Sequence, residues 1–267
     1  MLSSTSLSRQ RYLAQIRRRR RLITATRWGL LLALFALWEA GAQLGLINDF
    51  LLSSPSRMVR TAVNLMQSGE LFLHVGTTLF ETLAGFAISA ILGTALAVLL
   101  WWSVFWNQVL DPYLVVLNSL PKIALGPVLI VWIGAGMPAI IAMAVMVSVI
   151  VTLVTTLAGF CEIEPEKIML MRSFGATKRQ ILTMVVLPGS VPAMLSALKL
   201  NIGLSWVGVI VGEFLVSRAG LGYLTVYGGQ VFKLDLVMTS TVILCLLAGV
   251  MYFVVAGLEK RARSHRQ

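Results

Sequence analysis

The feature that most restricts this chain is a set of apolar runs too long for the core of a soluble domain. Residues 82–102, 138–157 and 236–258 carry no charged side chain. A helix rises about 1.5 Å per residue, so about 20 residues cross a hydrocarbon layer of about 30 Å. In that layer a lone segment satisfies its backbone N–H and C=O groups only by coiling on itself. Composition agrees, with 58% of residues hydrophobic and 12% charged, far from the balance of a soluble domain. The expected fold class is an all-α integral membrane protein.

Taken in order, the runs give about six transmembrane helices, at residues 28–46, 77–102, 113–134, 138–157, 195–216 and 236–258. Residues 1–27 form a basic N-terminal arm, 28–258 the transmembrane domain and 259–267 a basic tail. Residues 48–76 are a polar segment in which Ser53-Ser54-Pro55-Ser56 marks a turn and 58–66 an amphipathic piece. Residues 107–112 are expected to form a short turn ending at Pro112, and 217–233 a glycine-rich external segment. Trp101, Trp102 and Trp106 suit an interfacial aromatic belt.

The net charge of +11 would point to nucleic acid in a soluble protein. Here it collects at span ends, with eight arginines and no acid in the first 28 residues. Six spans put 17 Lys and Arg on the side of both termini and of residues 161–192, against four on the other, with Lys122 inside the third span. By the positive-inside rule both termini are cytoplasmic, and the basic ends face anionic membrane lipids rather than nucleic acid. The arm also looks like a transit peptide, and Ala40-Gly41-Ala42 like a cleavage site. The run at 28–46, interrupted only by Glu39, is long enough to span and reads as a retained first helix.

Enzyme chemistry finds little support. No Lys follows a Gly, so the chain lacks the phosphate-binding Gly-x-x-x-x-Gly-Lys loop and should not hydrolyse ATP itself. Cys161, Cys245, His74 and His265 have no metal-ligand spacing, and no metal or catalytic residue is expected. Glu39, Glu81, Lys122 and Glu213 lie within spans, where an ionisable group is a functional suspect. Glu81 and Glu213 fall near span ends, where they could face the interface. Pro121 and Pro127 should break or kink the third span around Lys122. Freed backbone at membrane depth is tolerated against protein or a water-filled cavity. Pro121, Lys122, Pro127, Asn201 and Glu213 are therefore candidate pathway residues, with kinking for packing alone as the competing reading.

Residues 161–192 form the one long polar interruption. Pro165 suits a first helical turn, and Glu162, Glu164 and Glu166 suit the positive end of a helix dipole. Gly175 can end that helix in the left-handed region, Thr177 and Gln180 have capping-box spacing, and Pro188 should stop the second helix. Ile168, Met169, Met171 and Phe174 on the first helix, and Ile181, Leu182 and Val185 on the second, make apolar faces. These lie on the membrane surface or insert into a groove on a partner.

Here the sequence resembles a family. Gly175, nine further residues, then Val185, Val186, Leu187 and Pro188 look like the cytoplasmic signature of ABC importer permeases. That signature is Glu-Ala-Ala, three residues, Gly, nine residues, Ile, any residue, Leu-Pro. Met169-Leu170-Met171 replace its Glu-Ala-Ala, with Glu166 one turn earlier. Several further pieces resemble the nitrate/sulfonate/taurine branch: His74 with Thr77-Thr78-Leu79, Leu120-Pro121 with Gly126-Pro127, Trp132-Ile133-Gly134, and Glu213 with Gly220-Leu221-Gly222-Tyr223. Glu81 departs from it, standing where the branch commonly carries Arg.

The resemblance implies a type I importer permease in the bacterial inner membrane, paired as a homodimer. Its cytoplasmic coupling helix would dock into a separate ATPase subunit that holds ATP and Mg, with no cofactor on this chain. Glu166, Met171, Arg172, Phe174, Gly175, Ala176, Leu187 and Pro188 are the implied docking residues. A periplasmic or lipid-anchored binding protein would deliver a small nitrate-, alkanesulfonate- or taurine-like solute. Thiamine-precursor pyrimidine or riboflavin is the alternative cargo, and an ATP-independent secondary transporter the competing class.

Overall fold

The computed structural model describes residues 7–45 and 53–264, and their regular structure is entirely helical. Leu46 at the end of the first expected span, Asn48, His265 and Arg266 lie outside the described residues. Helix α1 is continuous over Leu7–Gln43, and α2 covers Pro55–Gln67. Then come α3 (Glu70–Trp102), α4 (Val104–Ser119), a 3-10 turn (Lys122–Leu125) and α5 (Gly126–Ile133). Helix α6 (Met137–Cys161) leads to α7 (Pro165–Ser173) and α8 (Lys178–Ile181). A π turn (Leu182–Val186) and α9 (Leu187–Gly189) continue into α10 (Val191–Val216), followed by α11 (Leu221–Gln230) and α12 (Leu234–Ser264).

Among the described residues, five helices are long and apolar enough to cross a membrane, or six when the bent pair α4 and α5 is counted as one span. Five to six spans thus answer to the expected six or so, with altered bounds. Helix α3 starts at Glu70 rather than near residue 77, and residues 107–112 lie inside α4 rather than in a turn. Pro112 is accommodated within that helix, which runs on to Ser119.

The break comes later, at Pro121. Leu120 is held extended at φ −64°, ψ 139°, the conformation that a following proline ring enforces. The chain resumes in the 3-10 turn, and the two halves meet at 84°. Pro127 sits in the first turn of α5, where its missing N–H costs nothing.

The core is built on α3, α6 and α10. Small residues set the spacing: a Cβ on Gly85 would lie 2.6 Å from the Ala144 Cβ, and one on Gly93 2.8 Å from the Thr152 Cβ. A Cβ on Gly208 would lie 2.5 Å from the Ala144 Cα. In a membrane, where lipid is as apolar as leucine, close backbone approach of this kind supplies the packing energy that water supplies elsewhere. The pairings also give direction, since α3 and α6 run parallel while α10 returns antiparallel. Helix α1 lies apart, with Trp28, Leu30, Leu32, Leu34 and Leu37 exposed. Its anchor is Glu39, which accepts from the Ser56 N–H at 3.0 Å and the Ser56 hydroxyl at 2.8 Å. Helix α2 is tied in turn to α12 by Arg57–Asp235 at 3.2 Å and Ser53–Asp235 at 2.6 Å.

Candidate functional site

Two regions at opposite ends of the bundle carry the functional residues. The first is residues 161–192. Glu164 occupies the N-cap position of α7 without a side-chain capping bond, Glu166 lies in the first turn, and Glu164 pairs with Lys167 at 3.1 Å. The helix ends as a Schellman motif. Ala176 N–H donates to the Met171 carbonyl at 3.0 Å, and Gly175 N–H to the Arg172 carbonyl at 2.9 Å. Gly175 has φ +75°, a left-handed conformation that β-branched side chains resist. Thr177 then starts α8 with a complete capping box, donating its backbone N–H to Gln180 Oε1 at 2.8 Å and accepting from the Gln180 N–H.

Pro188 does not stop the second helix, contrary to the expectation. The chain widens into the π turn just before it and runs on through α9 to α10. Widening the turn shifts the carbonyls away from the ring that an ordinary α turn would strike. The apolar face of the second helix is likewise turned inward. Ile181, Leu182 and Val186 are buried against Phe160, Leu153 and Leu100. Lys178 donates to the Trp102 carbonyl at 2.5 Å and lies 5.6 Å from the centroid of the Trp102 ring, which pins α8 to the end of α3.

Exposure therefore divides the docking candidates. Glu166, Arg172, Phe174, Gly175 and Pro188 are exposed, with Phe174 at 78%. Met171, Ala176 and Leu187 are half-buried against the core. Met169 and Leu170 join Phe174 as exposed apolar side chains. Outward apolar residues thus collect on α7 and its C-cap, with Met184 on the π turn, while Ile181 and Leu182 face the bundle.

The opposite end holds a buried polar junction, and here the sequence reading needs correction. Glu81 and Glu213 do not face the interface; they are 1% and 2% exposed, packed between helices. Glu213 Oε1 accepts from the Thr78 hydroxyl at 2.6 Å. Its Oε2 accepts from the Gly222 N–H at 2.5 Å and the Tyr223 N–H at 3.3 Å. Thr78 Oγ1 accepts from the Leu221 N–H at 2.8 Å, and His74 Nδ1 from the Gly220 N–H at 2.9 Å. Three side chains from α3 and α10 thereby satisfy the first four N–H groups of α11, which would otherwise be orphans in an apolar setting. The carboxylate also meets the positive end of the helix dipole. Gly220 and Gly222 are needed because a Cβ at either would strike the Glu213 carboxyl.

Asn201 is 0% exposed, and its Oδ1 accepts from Ser89 at 2.8 Å and Ser205 at 2.9 Å. Asn201 and Glu213, expected as pathway residues, are placed as bonds between helices. Pro121 and Pro127 are exposed along the broken segment, and Lys122 is half-buried with Nζ on the Asn118 carbonyl at 3.1 Å. The structure adds a polar stripe that the sequence reading missed. Asn107, Asp111, Asn118 and Ser119 line one 300 Å³ cavity between α4 and α6. Their near-helical spacing was a usable signal, hidden once residues 107–112 were taken for a turn.

The break between α4 and α5, the polar stripe, the buried junction and the exposed α7 on a frame of five to six spans are features of a multi-pass membrane protein. The chain belongs to the binding-protein-dependent transport system inner membrane component family, which it matches over residues 85–264. It is 31% identical over 192 residues to a formylaminopyrimidine transport permease of Halalkalibacterium halodurans, covering 72% of this chain and 76% of that one. To a putative aliphatic sulfonates transport permease of Escherichia coli it is 27% identical over 226 residues, covering 85% and 86%. A solved inward-facing methionine ABC transporter shares the fold, with a TM-score of 0.62 and 21% identity over 72% of this chain and 97% of that one.

Proposed function

We infer that this chain forms the translocation pathway of an ATP-driven importer and takes its power stroke from a separate ATPase subunit through α7. The observation that carries the reading is the rigidly capped pair α7 and α8. Its first helix presents Met169, Leu170 and Phe174 outward, and its second is continuous with α10, the helix that holds the buried junction. A displacement applied at α7 therefore reaches α10 without a flexible joint. Arg172 and Phe174 meet the ATPase directly, Glu166 orients the start of α7, and Gly175 with Ala176 shapes the turn. Met171 and Leu187 transmit rather than touch, while the exposed Pro188 stays on the docking side. ATP and Mg belong to the partner.

The broken segment around Pro121, Lys122 and Pro127, together with the stripe Asn107, Asp111 and Asn118, lines the pathway in a pair of identical chains. The termini and α7 lie in the cytoplasm, and a binding protein delivers solute at the opposite end. The solute class is the alkanesulfonate and taurine type, supported by the sulfonate-permease relative and by the branch motifs around Glu213. A pyrimidine cargo is the second reading, favoured by the 31% identity to the formylaminopyrimidine permease.

Coexpression with the neighbouring genes tests the assignment, since purification of this chain without any ATPase subunit sinks it. Gly175 provides the finer test. A Cβ there meets nothing of this chain within 4 Å, so within the chain any effect of substitution comes from the backbone. Gly175→Val should cost about 1–2 kcal/mol of turn stability and abolish solute-stimulated ATP turnover, while Gly175→Asn, which tolerates φ > 0, retains it. Equal turnover in the two variants refutes the turn argument.

A further inference from the structure

We propose that the cavity beside Glu81, at the end of the bundle opposite α7, binds a small zwitterion, with Glu81 receiving its cationic end and Arg218 its anionic end. The proposal rests on the importer reading above and names the chemistry of the solute.

The cavity measures 430 Å³, within the range of about 300–1,000 Å³ that small-molecule sites occupy. Three elements wall it: Thr77 and Glu81 from α3, residues 135–137 at the start of α6, and residues 216–219 between α10 and α11. Glu81 is 1% exposed, and its Oε2 has no hydrogen-bond partner among the described residues. The Glu81 and Glu213 carboxyl groups lie within hydrogen-bonding reach, so they hold a proton between them and the pair carries a single negative charge.

The two acids are not equivalent. Glu213 is compensated by Thr78 and by two backbone N–H groups of α11. Glu81 has no comparable set of donors, and a buried carboxyl oxygen without one is costly to maintain. What Oε2 lacks is a donor, and an ammonium group supplies one beside a carboxyl pair that already carries a negative charge. Across the same cavity the exposed Arg218 offers a planar fork suited to a carboxylate, sulfonate or phosphate. The remaining hydroxyls are committed inside the chain, Thr77 Oγ1 to the Leu73 carbonyl at 2.9 Å and Ser217 Oγ to the Ala219 carbonyl. An acid pair and a guanidinium lining one cavity select a solute with opposite charges at its two ends over a simple anion.

The test uses the permease assembled with its ATPase in lipid nanodiscs, and three probes: taurine, ethanesulfonate (the same anion without the amine) and ethylamine. Labelling of Glu81 by a hydrophobic carbodiimide is followed by mass spectrometry. Taurine should slow labelling by roughly tenfold, and ethanesulfonate and ethylamine by less than about twofold at equal concentration. Protection by all three probes alike, or by none, overturns the proposal. Reconstituted uptake gives an independent reading. In Glu81→Gln the ratio of taurine to ethanesulfonate uptake should fall roughly tenfold, whereas Arg218→Gln should lower both rates together. An unchanged ratio in Glu81→Gln also overturns it. Failure to assemble with any ATPase strikes instead at the importer reading.

Discussion

Replacing Glu213 by Gln removes one charge and one acceptor from the start of α11 while keeping the side-chain shape. In the native junction Oε2 accepts from the Gly222 and Tyr223 N–H groups, and Oε1 from Thr78. The amide oxygen of Gln can face the two N–H groups, so those bonds survive in neutral form. A hydrogen bond to a charged group is worth about 1.5–3 kcal/mol and a neutral one about 0.5–1.5, so two weakened bonds lose about 2 kcal/mol. Loss of the charge at the helix N-terminus adds about 0.5–1 kcal/mol. The total of about 2.5–3 kcal/mol should raise the local opening of α11 by roughly a hundredfold. Hydrogen exchange of the amides at residues 220–224, measured in nanodiscs, reads this directly. Protection within about twofold of wild type, or a loss spread evenly over the molecule, would refute the capping argument. Thr78→Val supplies the cross-check. Because Thr78 bridges Glu213 and the Leu221 N–H, the double variant should depart from additivity by at least about 0.5 kcal/mol.

Other outcomes follow from the packing. Gly208→Ala drives a methyl group into the backbone of α6 at Ala144 and Met143, which has no side-chain freedom to yield. It should cost about 1–3 kcal/mol and lower the thermal midpoint in detergent, while Gly203→Ala, with nothing within 4 Å, should not. Lys178→Met removes both the bond to the Trp102 carbonyl and the cation over the indole. It should weaken the hold of α8 on α3 by about 1–2 kcal/mol, seen as faster exchange at residues 178–182 with membrane insertion unchanged.

Much of the 161–192 stretch was legible because its signals are local. A proline in the first turn, a glycine at a left-handed cap and a Thr-x-x-Gln box each act within about one helical turn, so residue identity and spacing carry the information. Pro188 was misread for the converse reason. Whether a proline ends a helix depends on whether the preceding turn can widen, and that is settled by the inward packing of Leu182 and Val186. Residues 107–112 failed because Asn, Gln and Asp beside a proline look like a turn, although a helix can run through an internal proline as α4 does through Pro112.

The sequence by itself determined that the chain crosses a membrane about six times, because hydrocarbon thickness and backbone satisfaction leave an apolar run no other use. It also determined where the polar stretch is capped and which family signature it carries. Only the tertiary structure decided what the intramembrane acids do. Glu213 lies 135 positions from Thr78 along the chain, yet their side chains meet at 2.6 Å. No spacing rule reports a contact between α3 and α10 that exists only because Gly85, Gly93 and Gly208 let three helices approach closely. The same approach leaves Glu213 bonded to α11 and Glu81 beside it without a donor of its own.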